Sequence, residues 1–153
     1  MTIKGFNKLK KELKKLKIFK RPQIINAISE ARKLGDLKEN AEYHAAREEQ
    51  SFCESRIRCI EVKLSQAQVI NIKKILYRNL VIFGSTITVL QICTDNVFTY
   101  TIVGDDEANF KKKSISIYSP LARGLIGKKR GDKVEIQTPS GLIKYIIIKI
   151  EYI

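Results

Sequence analysis

From the N-terminus the apolar residues fall at Phe6, Leu9, Leu13 and Leu16, a three-four-three spacing that places them on one stripe of an amphipathic helix. Thr2 is positioned to cap its start. Pro22 interrupts the pattern, and the stripe resumes at Ile24, Ile28 and Ala31, one residue out of phase with the earlier repeat. A proline removes a backbone donor and crowds the preceding turn, so a kink or short break is expected near Arg21 and Pro22. The helix then continues to about Leu34, where Gly35 is the favoured stop. A second, cleaner stripe runs through Tyr43, Ala46, Gln50, Cys53, Ile57, Ile60, Leu64 and Ala67. Two such helices joined by a short turn pack antiparallel, as a helical hairpin or intramolecular coiled coil. With about 30 residues per arm, at ~1.5 Å per residue, its reach is roughly 45 Å.

Beyond Val69 and Ile70 the hydrophobic period changes from 3.6 to 2. Residues 85–92 and 97–103 alternate around a turn at Thr94, Asp95 and Asn96, and residues 132–137 and 142–152 form another strand pair across Pro139, Ser140 and Gly141. Between the pairs, Ser119 as N-cap, Pro120 at the first helical position and Gly127 past the end mark a short helix. The expected fold class is α+β: a helical hairpin over residues 1–72, a connector over 73–79, and a small antiparallel-sheet domain with one short helix over 80–153.

Charge adds a constraint on partners. The 153 residues hold 29 Lys and Arg against 16 Asp and Glu, a formal charge of +13, which favours a polyanion or a nucleic-acid enzyme. The abundance of Ile, Lys and Asn offers a competing cause, the coding bias of an AT-rich genome. Lys4, Lys8, Lys10, Lys11, Lys14, Lys15, Lys17, Lys20 and Arg21 surround a single acid, Glu12, on the first helix. No stretch has the roughly 18 apolar residues of a membrane span, and the N-terminus lacks the apolar segment of a signal peptide, so a cytoplasmic location is expected. Cys53, Cys59 and Cys93 are odd in number and form no CxxC motif, which favours buried reduced thiols over a disulfide or zinc site.

Against this basic background the stretch from Gly35 to Glu49 is acidic. Asp36 and Glu39 are three residues apart, a spacing that projects both carboxylates to one side and suits a shared divalent cation such as Mg²⁺. The same Asp-x-x-Glu spacing fits a capping box, with Asp36 as N-cap and Glu39 at N3, while Asn40 is a rival N-cap. Spacing alone favours capping over the cation site. Arg32 and Arg47 flank the acids and suit guidance of a phosphate backbone, or, for Arg47, an ion pair with a glutamate on its own helix. His44 is the single histidine, so neither a multi-histidine metal site nor a Ser/His/Asp triad can be assembled. Tyr43 falls on the packing stripe, and residues 103–108, Val-Gly-Asp-Asp-Glu-Ala, read as a glycine turn with a helix-start signal.

Three segments together carry a family resemblance: residues 35–43 (Gly-Asp-Leu-Lys-Glu-Asn-Ala-Glu-Tyr), residues 103–108, and residues 119–128 (Ser-Pro-Leu-Ala-Arg-Gly-Leu-Ile-Gly-Lys). In this order and spacing, with Thr2 to Leu9, Arg21-Pro22 and the closing Ile150-Glu151-Tyr152, the chain resembles the GreA/GreB family of bacterial transcript cleavage factors over its whole length. The resemblance implies an N-terminal coiled coil that enters the secondary channel of bacterial RNA polymerase and an FKBP-like C-terminal domain that docks at the channel rim. It implies that Asp36 and Glu39 help hold a Mg²⁺ of the polymerase active site, where the polymerase cleaves the 3′ end of a backtracked RNA. Arg32 and Arg47 match basic positions that approach that RNA end. The factor so implied is not itself an enzyme, binds no cofactor alone, takes no small-molecule substrate and needs no membrane. Two alternatives share the expected fold: an inhibitory channel-binding paralogue, and an FKBP-like prolyl isomerase. The chain departs from the family in charge, with Lys111–Lys113 and Lys128, Lys129 and Arg130 adding positive patches to the C-terminal half.

Overall fold

The computed structural model describes residues 1–76 and 79–153. The connector expected over 73–79 therefore takes in Tyr77 and Arg78, which lie outside the described residues. The chain forms two compact units, Phe6–Gln68 and Met1–Gly5 with Val69–Ile153.

The first unit is a helical hairpin. Helix α1 (Ile3–Lys15) leads into a π-helical turn at Leu16–Lys20, then α2 (Arg21–Arg32), and α3 (Ala41–Ser65) returns. The kink or break expected at Pro22 takes a specific form. The Arg21 N–H donates to the Leu16 carbonyl five residues back, and Pro22, which has no N–H to give, follows directly, so the widened turn lies where the proline interrupts the hydrogen-bond ladder. A π turn holds one more residue than an α turn. That extra residue accounts for the slip between the Leu9–Leu13–Leu16 stripe and the Ile24–Ile28–Ala31 stripe, and it lets both face α3.

Ile24, Ile28, Ala46, Cys53 and Ile57 are buried together in the seam, with Leu13, Leu16 and Tyr43 packed against them. Ion pairs flank it: Lys17 with Glu61, Lys20 with Glu49, Arg56 with Glu12, and Arg21 with Glu54. The last is a two-pronged fork, with Nε to Oε1 at 2.7 Å and Nη2 to Oε2 at 2.9 Å. The fork's hydrogen bonds hold the Glu54 carboxyl below the usual carboxylate range. A carboxylate depressed in this way stabilises the fold above its unfolded pKa, and that contribution is lost as pH falls through the folded value. Such partly exposed pairs fix register and orientation more than they add stability.

The cysteine expectation needs correction. All three thiols are free, but only Cys53 is buried; Cys59 and Cys93 are exposed. Six residues after Cys53 the helix has turned Cys59 away from the seam, and Cys93 lies in the turn after the first strand.

The second unit is a five-stranded sheet in the order β3-β2-β1-β5-β4. Its strands are β1 (Thr86–Gln91), β2 (Asn96–Val103), β3 (Ser114–Ser116), β4 (Lys133–Thr138) and β5 (Gly141–Glu151). All pairings are antiparallel except β2 with β3, which run parallel. Helix α4 (Pro120–Leu125) starts as its sequence indicates, with the Ser119 hydroxyl accepting from the Ala122 N–H at 3.2 Å. Its Ala122 and Leu125 pack into a core with Val81, Ile87, Ile102, Val134 and Ile147.

Residues 1–5 belong to this sheet unit. The Ile70 N–H donates to the Met1 carbonyl at 3.0 Å, and Thr2 caps α1 by accepting from the Gly5 N–H at 3.0 Å. Glu107 completes the cap: one carboxylate oxygen accepts from the Thr2 N–H at 3.0 Å and the other from the Thr2 hydroxyl. This is a capping box whose glutamate comes from 105 residues away instead of from the N3 position. Gly5 occupies N3, and a Cβ there would lie 2.1 Å from the Glu107 Cδ. Gly5→Ala must therefore expel Glu107 from the cap, with an expected loss of about 1–2 kcal/mol. Denaturant unfolding of G5A, E107A and the double variant checks this: the double variant should be little worse than either single one, because each removes the same interaction. Additive losses would contradict it.

Candidate functional site at the hairpin turn

The turn between α2 and α3 spans residues 33–40. Gly35 has φ +125° with open space around it, a conformation that suits glycine. Asp36 does not cap a helix, and this corrects the capping-box reading. Its Oδ1 accepts from the Lys38 N–H at 3.1 Å, two residues on, which is an Asx turn. The N-cap of α3 is Asn40, whose Oδ1 accepts from the Tyr43 N–H at 3.0 Å, so Tyr43 and not Glu39 stands at N3. The other end of the Asn40 amide donates to the Ala31 carbonyl at 2.6 Å. One side chain thus starts α3 and ties off the end of α2.

His44 adds a second tie. Its Nε2 lies 3.0 Å from the Lys38 carbonyl; a carbonyl only accepts, so Nε2 carries the proton. The Arg32 guanidinium lies over the Tyr43 ring, 5.9 Å from its centre, a cation–π contact across the two helices. Arg47 donates to Gln50 Oε1 at 3.0 Å, so its partner on its own helix is an amide and not the glutamate considered from the sequence. Both arginines are exposed.

Asp36 and Glu39 are exposed and line one open hollow of about 420 Å³ with Leu34, Asn40, Ala41 and Glu42. Among the described residues, Glu39 has no hydrogen bond or ion pair and Asp36 accepts only from Lys38. Carboxylates are hard oxygen donors that suit Mg²⁺, but two of them fill only part of its six-oxygen shell. No cluster of three or more His, Cys, Asp or Glu suited to a metal ion occurs among the described residues. The donor set fits a cation whose remaining ligands come from elsewhere. Asn40 takes the N-cap role for which its sequence position made it a rival, but its tie to the Ala31 carbonyl and the His44 contact with the Lys38 carbonyl leave no mark in the sequence, because a backbone carbonyl is common to every residue.

The architecture is a helical hairpin joined to a mixed sheet, with unpartnered acids at the hairpin turn, and comparison with known proteins places it in a class. A family model for the N-terminal part of a transcription elongation factor matches residues 1–69. One for the C-terminal part of GreA/GreB elongation factors matches residues 78–152. The chain belongs to the GreA/GreB family of transcription elongation factors. It is 68% identical over 153 residues to transcription elongation factor GreA of Buchnera aphidicola subsp. Cinara cedri, covering 100% of this chain and 96% of that protein. To GreA of Wigglesworthia glossinidia brevipalpis it is 62% identical, covering 100% and 97%. Among solved structures, the GreA factor homolog Gfh1 of Thermus thermophilus is 22% identical with a TM-score of 0.44, covering 99% of this chain and 97% of that one.

Proposed function

We propose that this elongation factor acts by inserting its hairpin turn through the secondary channel of bacterial RNA polymerase and stimulating the polymerase's own cleavage of backtracked RNA. The observation that carries this reading is the pair Asp36 and Glu39, exposed on one hollow and, among the described residues, without cationic partners in a chain of charge +13. In so basic a protein, free carboxylates at a turn braced by Asn40 and His44 are available to a partner's cation.

In this reading Asp36 and Glu39 are lent as ligands to an active-site Mg²⁺ that the polymerase holds weakly. The ion, when bound, stabilises charge on the transferring phosphoryl group and activates water. The work of this chain is positioning. The Asx turn keeps one Asp36 oxygen on the backbone and leaves the other free, and the Asn40 amide holds the turn against the ends of both helices. Arg32 and Arg47 stand on either side to receive the phosphates of the displaced RNA end. The sheet unit docks at the channel rim, the factor binds no cofactor alone, and it works in the cytoplasm; no helix among the described residues is long and apolar enough to cross a membrane. The retained carboxylates argue against an inhibitory paralogue.

Adding the protein to stalled, backtracked elongation complexes with Mg²⁺ tests the proposal. Release of short 3′ RNA fragments should accelerate over polymerase alone; an unchanged rate would refute it. The prolyl isomerase alternative has one observation in its favour, an open groove of about 340 Å³ lined by Tyr100, Phe110, Leu121 and Tyr145 among others. A proline-isomerisation assay on the same preparation separates the two.

A further inference from the structure

The outer face of α1 and the π turn carries charge that the hairpin does not use. Lys17, Lys20 and Arg21 are engaged with Glu61, Glu49 and Glu54, and Glu12 is held by Arg56. Lys8, Lys10, Lys11, Lys14 and Lys15 are all exposed and, among the described residues, have neither a hydrogen bond nor an ion pair. A solvated lysine face would end there. Here Lys11, Lys14, Lys15 and Phe19, at i, i+3, i+4 and i+8, line one open groove of about 480 Å³. Phe19 is 62% exposed and its neighbour Ile18 51%, a large apolar surface left in water. The groove thus combines ammonium groups with a largely exposed aromatic side chain.

We propose that this face binds single-stranded nucleic acid, with Lys11, Lys14 and Lys15 pairing with successive phosphates and Phe19 stacking on a base. Cations alone would serve duplexes, acidic proteins and single strands alike. The exposed ring selects among them, because stacking needs an unpaired base, and lysines beside an aromatic platform are what a strand without sequence preference requires. The site is separate from Asp36 and Glu39 and calls for no polymerase, so its success or failure is independent of the cleavage reading.

The test is fluorescence anisotropy of a labelled 12-nucleotide oligouridine with the full chain over a salt series, alongside a 12-base-pair duplex and polyglutamate as competitors. The wild type should prefer the single strand to both. K11Q/K14Q/K15Q should weaken binding at least 10-fold and lower the slope of log K against log salt by about 2, at ~0.7 per phosphate contact on a single strand. F19A should weaken binding by roughly 5-fold or more with the slope unchanged. All four side chains are exposed, so the variants should keep wild-type helicity, checked by circular dichroism. Three results would each overturn the proposal: unchanged binding by the triple lysine variant, duplex or polyglutamate binding as tightly as the oligonucleotide, or loss of binding in K111Q/K112Q/K113Q instead.

Discussion

Asp36→Asn together with Glu39→Gln is expected to lower factor-stimulated RNA cleavage by roughly 10- to 100-fold, the scale at which groups that hold or orient a metal matter, while affinity for the polymerase stays close to wild type. Both side chains are exposed, and among the described residues Asp36 makes one hydrogen bond, to the Lys38 N–H, while Glu39 has no hydrogen bond or ion pair. An asparagine oxygen still accepts that hydrogen bond, so the Asx turn survives the exchange. What disappears is charge, and with it the reason for a divalent cation to recruit these oxygens. Circular dichroism and thermal melting should match wild type, which separates lost chemistry from lost structure. A variant that binds polymerase and cleaves at the wild-type rate would remove the carboxylates from the mechanism.

The second large effect falls on a residue that touches no partner in this account. Asn40→Ala removes the N-cap of α3 and the amide donor to the Ala31 carbonyl at once. A lost cap costs about 0.5–2 kcal/mol, and a lost hydrogen bond to the carbonyl of the buried Ala31 adds about 1 kcal/mol. For a unit of this size the sum lowers Tm by roughly 10 °C. With the two helix ends untied, Asp36 and Glu39 lose their fixed place, so stimulated cleavage should fall about 10-fold below saturation of the turn's ordered state, even though both carboxylates remain. Asn40→Asp keeps the acceptor for the Tyr43 N–H and loses the donor to Ala31, and should fall between wild type and alanine. Wild-type stability and cleavage in N40A would show that the turn is held by other contacts.

The two arms of the hairpin were legible because burial at 3.6-residue spacing is a local pattern, and Gly35 marked the turn by its backbone freedom. The phase slip around Pro22 was visible too, but its physical form, a π turn closed by Arg21 onto Leu16, emerges only when both stripes must face the same partner helix. Ser119 and Pro120 announced α4 because a cap and an N1 proline act on neighbours. Strand β3 was missed: three residues are too few for alternation, and its pairing with β2 is parallel and non-local. Nothing local links Glu107 to Thr2 either, so a segment that reads as a glycine turn proves to complete a helix cap. At the turn, spacing alone favoured a capping role for Asp36 and Glu39 over a cation site. The resemblance of the whole chain gave them a role, and the geometry then removed the capping box by assigning that task to Asn40.

The hairpin turn is proposed to lend oxygen ligands to a weakly held Mg²⁺. The most direct measure of this is the Mg²⁺ dependence of cleavage in backtracked complexes with saturating factor. The wild-type chain should shift half-maximal cleavage to a lower Mg²⁺ concentration than polymerase alone requires, and Asp36→Asn with Glu39→Gln should return it to the value of polymerase alone. A wild-type factor that raises the maximal rate with the Mg²⁺ midpoint unmoved, or a variant that still shifts it, would contradict the account.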